Sequence, residues 1–173
     1  MKKFPIGIII NSFRTDIPTS VRKAAECGAQ GIQVYSTHGE MAPENLSPEK
    51  RREFLNLVKD NGLIISALCG DLGGHGFEIA KDNAERIEKT KAIVDLAVKF
   101  GTNVVTTHIG VVPKDKTSDK YKIMQEAYDK IIRISHKKRL YMKKAGKIPK
   151  ITFKSTKQMG YDYLDVYNDY LNY

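Results

Sequence analysis

Three glycines, Gly28, Gly62 and Gly101, each close a helix-type pattern, and each is followed within a few residues by a short apolar run. A fourth, Gly146, stands in the same relation to residues 148–153. The intervals between them are 34, 39 and 45 residues, close to the length of one strand–helix unit. A chain punctuated this way alternates strands with helices, and such repeats form a parallel sheet with right-handed crossovers. This period constrains the fold more than any other feature of the sequence.

The elements follow from the punctuation. Residues 6–10 read as strand 1, ending at Asn11, and residues 19–27 as a short helix stopped by Gly28. Residues 31–35 are strand 2. Ser47-Pro48-Glu49 starts a helix, with a hydroxyl cap, a proline in the first turn and an early carboxylate. Phe54, Leu57 and Val58 form its apolar face. Strand 3 spans residues 63–68 and leads into the glycine-rich loop 69–77. Asp82 is expected to cap a helix with Ile87, Val94 and Val98 on its face. Strand 4 is the run 104–110, Val-Val-Thr-Thr-His-Ile-Gly, with His108 at its end. Ser118 caps a last helix carrying Met124, Ala127, Tyr128 and Ile131. A full (β/α)₈ barrel needs about 200–250 residues. By length alone a five-stranded flavodoxin-like sheet suits 173 residues better.

Charge is uneven along the chain. Residues 1–127 hold 18 Lys+Arg against 16 Asp+Glu, whereas residues 128–173 hold 11 against 4. The latter stretch also carries 7 of the 9 tyrosines but only 2 of the 13 glycines. This composition shift divides the chain into a repeat region, 1–127, and a basic Tyr/Lys-rich segment, 128–173. Lysines among aromatics are one route to single-stranded nucleic acid, but the irregular spacing and the lack of a binding motif make such a partner unexpected. Cys27 and Cys69 have neither disulfide-framework nor metal-ligand spacing and read as buried free thiols of a reducing compartment. Pro5 and Gly7 interrupt the apolar start, and no run approaches the ~20 apolar residues of a membrane span. A soluble cytoplasmic protein with no membrane partner is the expectation.

Ligands of parallel α/β folds gather at the carboxyl ends of strands. The residues there are Asn11, Tyr35, Asp71, His75 and His108, taken as the candidate substrate-binding set. The glycine-rich loop could offer backbone amides to a phosphate, although it lacks the Gly-Lys-Ser/Thr of a P-loop. Asp71 either orients His75 or only turns the loop. His38 and Glu40 read as solvated loop residues, and His136 as an exposed helix-end residue.

Three stretches, residues 31–41 (GIQVYSTHGEM), 65–77 (ISALCGDLGGHGF) and 104–110, occur in the order and at the strand ends that resemble the sugar phosphate isomerase/epimerase family, xylose isomerase-like TIM barrels. The resemblance covers about residues 1–127 and implies an incomplete (β/α)₈ barrel of four to five units. It implies a small sugar or sugar phosphate as substrate and a proton transfer beside its carbonyl. A divalent metal (manganese, magnesium, cobalt or zinc) would polarise the substrate oxygens while paired glutamates move the proton. The family's ligands and acid/base carboxylates come mainly from strands 5 to 8. Tyr35, His75 and His108 match its pocket-lining half, and in the endonuclease-like branch of this superfamily a histidine after strand 4 binds metal.

The chain departs from the family after Ala127. Where a strand-5 glutamate would stand, residues 150–153 lead into Lys154-Ser155-Thr156, and no glutamate follows Glu126. This pattern reads as a truncated or frame-shifted member, expected to bind no metal itself and to be inactive in isomerisation, its catalytic residues unassigned. The alternative is a non-catalytic binding or oligomeric module with a basic tail. Unpaired sheet edges favour a homo-oligomer in either case.

Overall fold

Four short strands, β1 (Gly7–Ile9), β2 (Gly31–Tyr35), β3 (Ile64–Cys69) and β4 (Val105–Thr106), pair in parallel in the order β1-β2-β3-β4. The computed structural model describes residues 5–144, and side chains as far as residue 138. The helices α1 (Ile17–Glu26), α2 (Pro48–Asp60) and α3 (Ala80–Phe100) connect the strands, and α4 (Asp119–Lys144) follows β4. Sequential parallel order is that of a barrel segment. The flavodoxin-like alternative, in which strand 1 lies between strands 2 and 3, is thereby excluded.

Helix boundaries follow local chemistry. Ser47 accepts the Lys50 N–H at 3.2 Å, and Ser118 accepts the Tyr121 N–H at 3.3 Å, so both act as the expected hydroxyl caps. The first helix begins earlier than the sequence suggests. Asp16 caps it by accepting the Thr19 N–H at 2.9 Å, and Pro18 lies inside the first turn, where a missing N–H costs nothing. Asp82 does not cap α3: Ile79 holds that position without a side-chain bond, and Asp82 sits in the first turn. Gly28, Gly62 and Gly101 end their helices with φ near +75°, the left-handed C-terminal conformation glycine adopts without strain.

Strand alternation divides the sheet into two unlike faces. Ile8, Ile32, Val34, Ile65, Leu68 and Val105 face the helices and belong to or pack on the main core, with Val21 and Ala24 of α1, Phe54 and Val58 of α2, and Ile93, Leu96 and Phe100 of α3. The Phe54 and Phe100 rings meet at 5.5 Å. Each such fully buried aliphatic or aromatic side chain contributes about 1.5–3 kcal/mol. Ile8, Ile10 and Val105, which a reading of the half barrel would assign to its interior, instead serve this outer core, Ile10 from the 3₁₀ turn after β1. A one-residue change of parity moves a whole apolar set to the other face.

The inner face carries Ile9 beside Gln33, Gln33 beside Ala67, and Tyr35, Cys69 and Thr106 in one row. A bulge at Ser66 separates the Ile32–Ile65 pair from the Gln33–Ala67 pair. Its loose groups are satisfied: the Ser66 hydroxyl donates to Ile32 O at 2.9 Å, and the Thr102 hydroxyl donates to Ser66 O at 2.9 Å.

Strand 4 is shorter than its β-branched run implies, because Thr107 onward turns away to meet the loop after β3. Cys27, expected to be buried, is exposed at the end of α1, whereas Cys69 is buried. His136 is exposed but lies within α4 rather than at its end, and α4 runs unbroken across residues 127–128. The proposed fifth strand at 148–153, and Lys154, fall outside the described residues. No helix among the described residues is long and apolar enough to cross a membrane.

Candidate functional site

The carboxyl ends of β1, β2 and β3 bring Asn11, Tyr35 and Asp71 together. The Tyr35 N–H donates to Asn11 Oδ1 at 3.1 Å, tying the residue after β1 to the end of β2. The Tyr35 phenol is hydrogen-bonded to Cys69 and lies in the field of Asp71, and its pKa is held above the ordinary value of 10. The largest cause is the electrostatic influence of the neighbouring Cys69 sulfur. The hydrogen bond to that sulfur, burial and Asp71 add to the effect in that order. Tyr35 therefore stays a neutral hydrogen-bonding group at neutral pH. The His38 ring stands 6.3 Å from it, with Nδ1 bonded to the Thr37 hydroxyl at 2.9 Å.

Below this cluster, Gln33 Nε2 donates to Thr106 Oγ1 at 2.8 Å, crossing the sheet above the small Ala67. Neither residue belongs to the set chosen from sequence. Strand alternation could have found Gln33, which stands two residues before Tyr35 and so shares its face. Thr106 stands two before His108 in the same sense.

The other candidates behave differently. Asp71 turns the loop: its Oδ1 accepts the Gly73 N–H at 2.7 Å. It does not orient His75. That role belongs to Asp82, whose Oδ2 lies 3.0 Å from His75 Nε2, while His75 Nδ1 is buried with no hydrogen bond among the described residues. His75 thus points toward the start of α3 rather than toward Tyr35. His108 is exposed beyond the end of β4, and among the described residues no hydrogen bond or ring contact joins it to the other four candidates.

The loop after β3 is fastened to the segment after β4. The Phe77 N–H donates to Ile109 O at 3.2 Å, and the Tyr128 hydroxyl donates to the same oxygen at 2.7 Å. The Val111 N–H donates to Glu78 Oε1 at 2.5 Å, and Lys120 of α4 pairs with Glu78 Oε2 at 2.5 Å. Lys120 first, then the Val111 amide, hold the Glu78 carboxyl below its ordinary pKa. Arg86 donates to Gly73 O and lies 5.9 Å over the Phe77 ring. Phe77, Ile87 and Ala127, with Tyr128, Ile131 and Ile134, form a small second core under this fastening.

The sequence profile described as the xylose isomerase-like TIM barrel matches residues 21–142. The chain belongs to that family. Solved structures agree in fold. A xylose isomerase domain protein from Planctomyces limnophilus superposes with a TM-score of 0.63 at 19% identity, covering 78% of this chain and 51% of that one. A sugar phosphate isomerase/epimerase from Parabacteroides distasonis gives 0.56 at 15% identity, with coverage of 79% and 51%. The probable 3-DHS dehydratase AsbF of Bacillus anthracis, involved in petrobactin synthesis, gives 0.58 at 26% identity, with coverage of 80% and 49%. This chain spans about half the length of each. No curated protein matches it by sequence.

The divalent ion the family suggests needs several oxygen ligands in one place. Among the described residues no three His, Cys, Asp or Glu side chains converge to hold a metal. Asp71 Oδ1 is committed to its own loop and Asp82 to His75. The described residues do not fit such an ion.

Proposed function

We propose that this barrel segment binds a small sugar or sugar phosphate at its carboxyl rim and, on its own, does not isomerise or epimerise it. The observation that supports binding is the polar group Asn11, Gln33, Tyr35 and Thr106 at the strand ends of a chain in this family. A polyol offers alternating donors and acceptors, and Asn11 Nδ2, Gln33 Oε1 and the Tyr35 hydroxyl can answer both. Shifting a proton beside a carbonyl demands a base within hydrogen-bond reach and an electrophile for the enediolate charge. The rim acid Asp71 turns its own loop, and the His75–Asp82 pair faces α3. Asp71, the one of these acids beside Tyr35, has one carboxylate oxygen taken up by the Gly73 N–H.

Calorimetric titration with a panel of aldoses, ketoses and their phosphates tests binding. Binding that Gln33→Ala and Tyr35→Phe weaken supports the reading, and no binding by the parent chain overturns it. Turnover of the same panel with manganese, magnesium or cobalt, abolished by a chelator, would refute inactivity. The non-catalytic alternative, an oligomeric module, draws on a different observation, the exposed apolar residues of the inner face.

A further inference from the structure

Charge on α4 is sorted by face. Met124 and Ala127 are buried, and Ile131 and Ile134 pack on the second core with Phe77 and Ile87, so this side of the helix is occupied. Lys138 reaches across to α3 and pairs with Asp95 at 2.5 Å. Lys130, Arg133 and Lys137 are exposed, and their spacing of three and four residues sets them in one row on another face. None of the three has an ion pair among the described residues. Glu126 stands one turn before the row and half-buried Asp129 beside it, but neither pairs with it. Like charges three and four apart weaken a helix, so the row is kept at a cost to α4. The sequence continues the pattern: residues 130–161 hold 11 Lys+Arg and no Asp or Glu. Along the chain these basic residues are irregularly spaced; on α4 the first of them fall at helical pitch.

We propose that the row Lys130, Arg133 and Lys137 docks the phosphodiester backbone of single-stranded nucleic acid, without regard to base sequence and independently of any ligand at the rim. Three unpaired cations along about 10 Å of helix axis form a linear array, the shape that follows a chain of phosphates. Each phosphate they neutralise releases condensed counterions, which drives binding by charge alone. An anionic membrane fits less well. Helices that lie on a bilayer bury an apolar face among the acyl chains, whereas the apolar face of α4 is already spent on the second core. The sequence also favours unpaired bases as neighbours. Residues 141–173 hold 6 of the 9 tyrosines, and bases stack on such rings only where they are free of a duplex.

Fluorescence anisotropy of a labelled oligothymidylate of about 20 nucleotides, titrated with the full chain at salt concentrations from about 50 to about 200 mM, tests the proposal. The row variant combines Lys130→Gln, Arg133→Gln and Lys137→Gln. These positions are exposed and unpaired, so neutralising them relieves repulsion and leaves the fold intact. A control combines Lys50→Gln, Lys59→Gln and Lys81→Gln, which removes the same charge from exposed positions of α2 and α3. The parent is expected to bind with a Kd of about 1–100 μM. At about 0.7 in the logarithmic salt slope per phosphate contact, the row variant lowers that slope by about two and weakens binding at least tenfold at the lowest salt. The control keeps the parent's slope, and circular dichroism is the same for all three chains. A parent that leaves the oligonucleotide unbound at about 100 μM overturns the proposal. Equal losses in row variant and control also overturn it, because net charge and not the row would then carry binding. So does binding confined to phosphatidylserine-containing vesicles, measured in parallel by co-sedimentation, which would make the partner a membrane.

Discussion

The fastening between the loops after β3 and β4 turns on a single backbone approach, and Gly76→Ala tests how much the fold depends on it. Gly76 has φ +59°, and a Cβ built there would stand 2.2 Å from Ile109 C and 2.3 Å from Gly110 N. These are backbone atoms, so no side chain can swing aside. Gly74 supplies the control: its φ is +63°, and a Cβ there would meet nothing within 4 Å. Both alanines pay the left-handed strain, about 1 kcal/mol. Only Gly76→Ala must also part the two loops, losing Phe77 N–H to Ile109 O and loosening Tyr128 Oη on the same oxygen. At about 1 kcal/mol per hydrogen bond, the total is roughly 3 kcal/mol against roughly 1. With a urea slope of about 2 kcal/mol per molar, the unfolding midpoints fall by about 1.5 M and about 0.5 M. Urea unfolding followed by far-ultraviolet circular dichroism reads both. Equal midpoints for the two variants would refute the close-approach argument and reduce the effect to backbone strain alone.

Two further outcomes follow from the same structure. Thr102, only 3% exposed, supplies the hydroxyl that satisfies the carbonyl of the β3 bulge; Thr102→Val should cost about 1–3 kcal/mol in urea unfolding and Thr102→Ser less, and equal losses would assign the effect to packing. Glu78 ionises in the folded chain below its ordinary value near 4.5, so its contribution is present above the unfolded carboxylate pKa and is lost as pH falls through the folded one. The stability difference between the parent and Glu78→Gln should therefore shrink as pH drops from about 7 to about 3, and a difference that stays constant across that range would show that the Lys120 pair contributes nothing.

Much of the architecture was legible because it is written in local chemistry. Gly28, Gly62 and Gly101 are helix-ending glycines whose periodic recurrence implies parallel βα units, and Ser47 and Ser118 cap the helices they precede. Where the sequence misled, a non-local contact decided. The run 104–110 has the β-branched composition of a full strand, yet β4 is two residues long, because Ile109 is claimed by Phe77 and Tyr128. Asp71 reads in sequence as the acid that could orient His75 and Asp82 as a helix cap; the turn at Gly73 takes the first, and the second, in the first turn of α3, is the one that meets His75. Cys69 beside Tyr35 required the register of β2 against β3, which no residue spacing reveals.

The two faces of the sheet also explain how half a barrel can hold a fold while its rim remains incomplete. The main core lies wholly between the sheet and α1, α2 and α3, so its apolar contacts are made without any further strand. The inner face contributes little to that core: Ala67 and Cys69 are buried there, but Ile9 and Ile64 stay accessible and Gln33 and Thr106 satisfy each other. The core and the candidate site therefore reside on opposite sides of the same four strands. A substitution such as Phe54→Ala attacks the first, at about 3–5 kcal/mol, without touching the second.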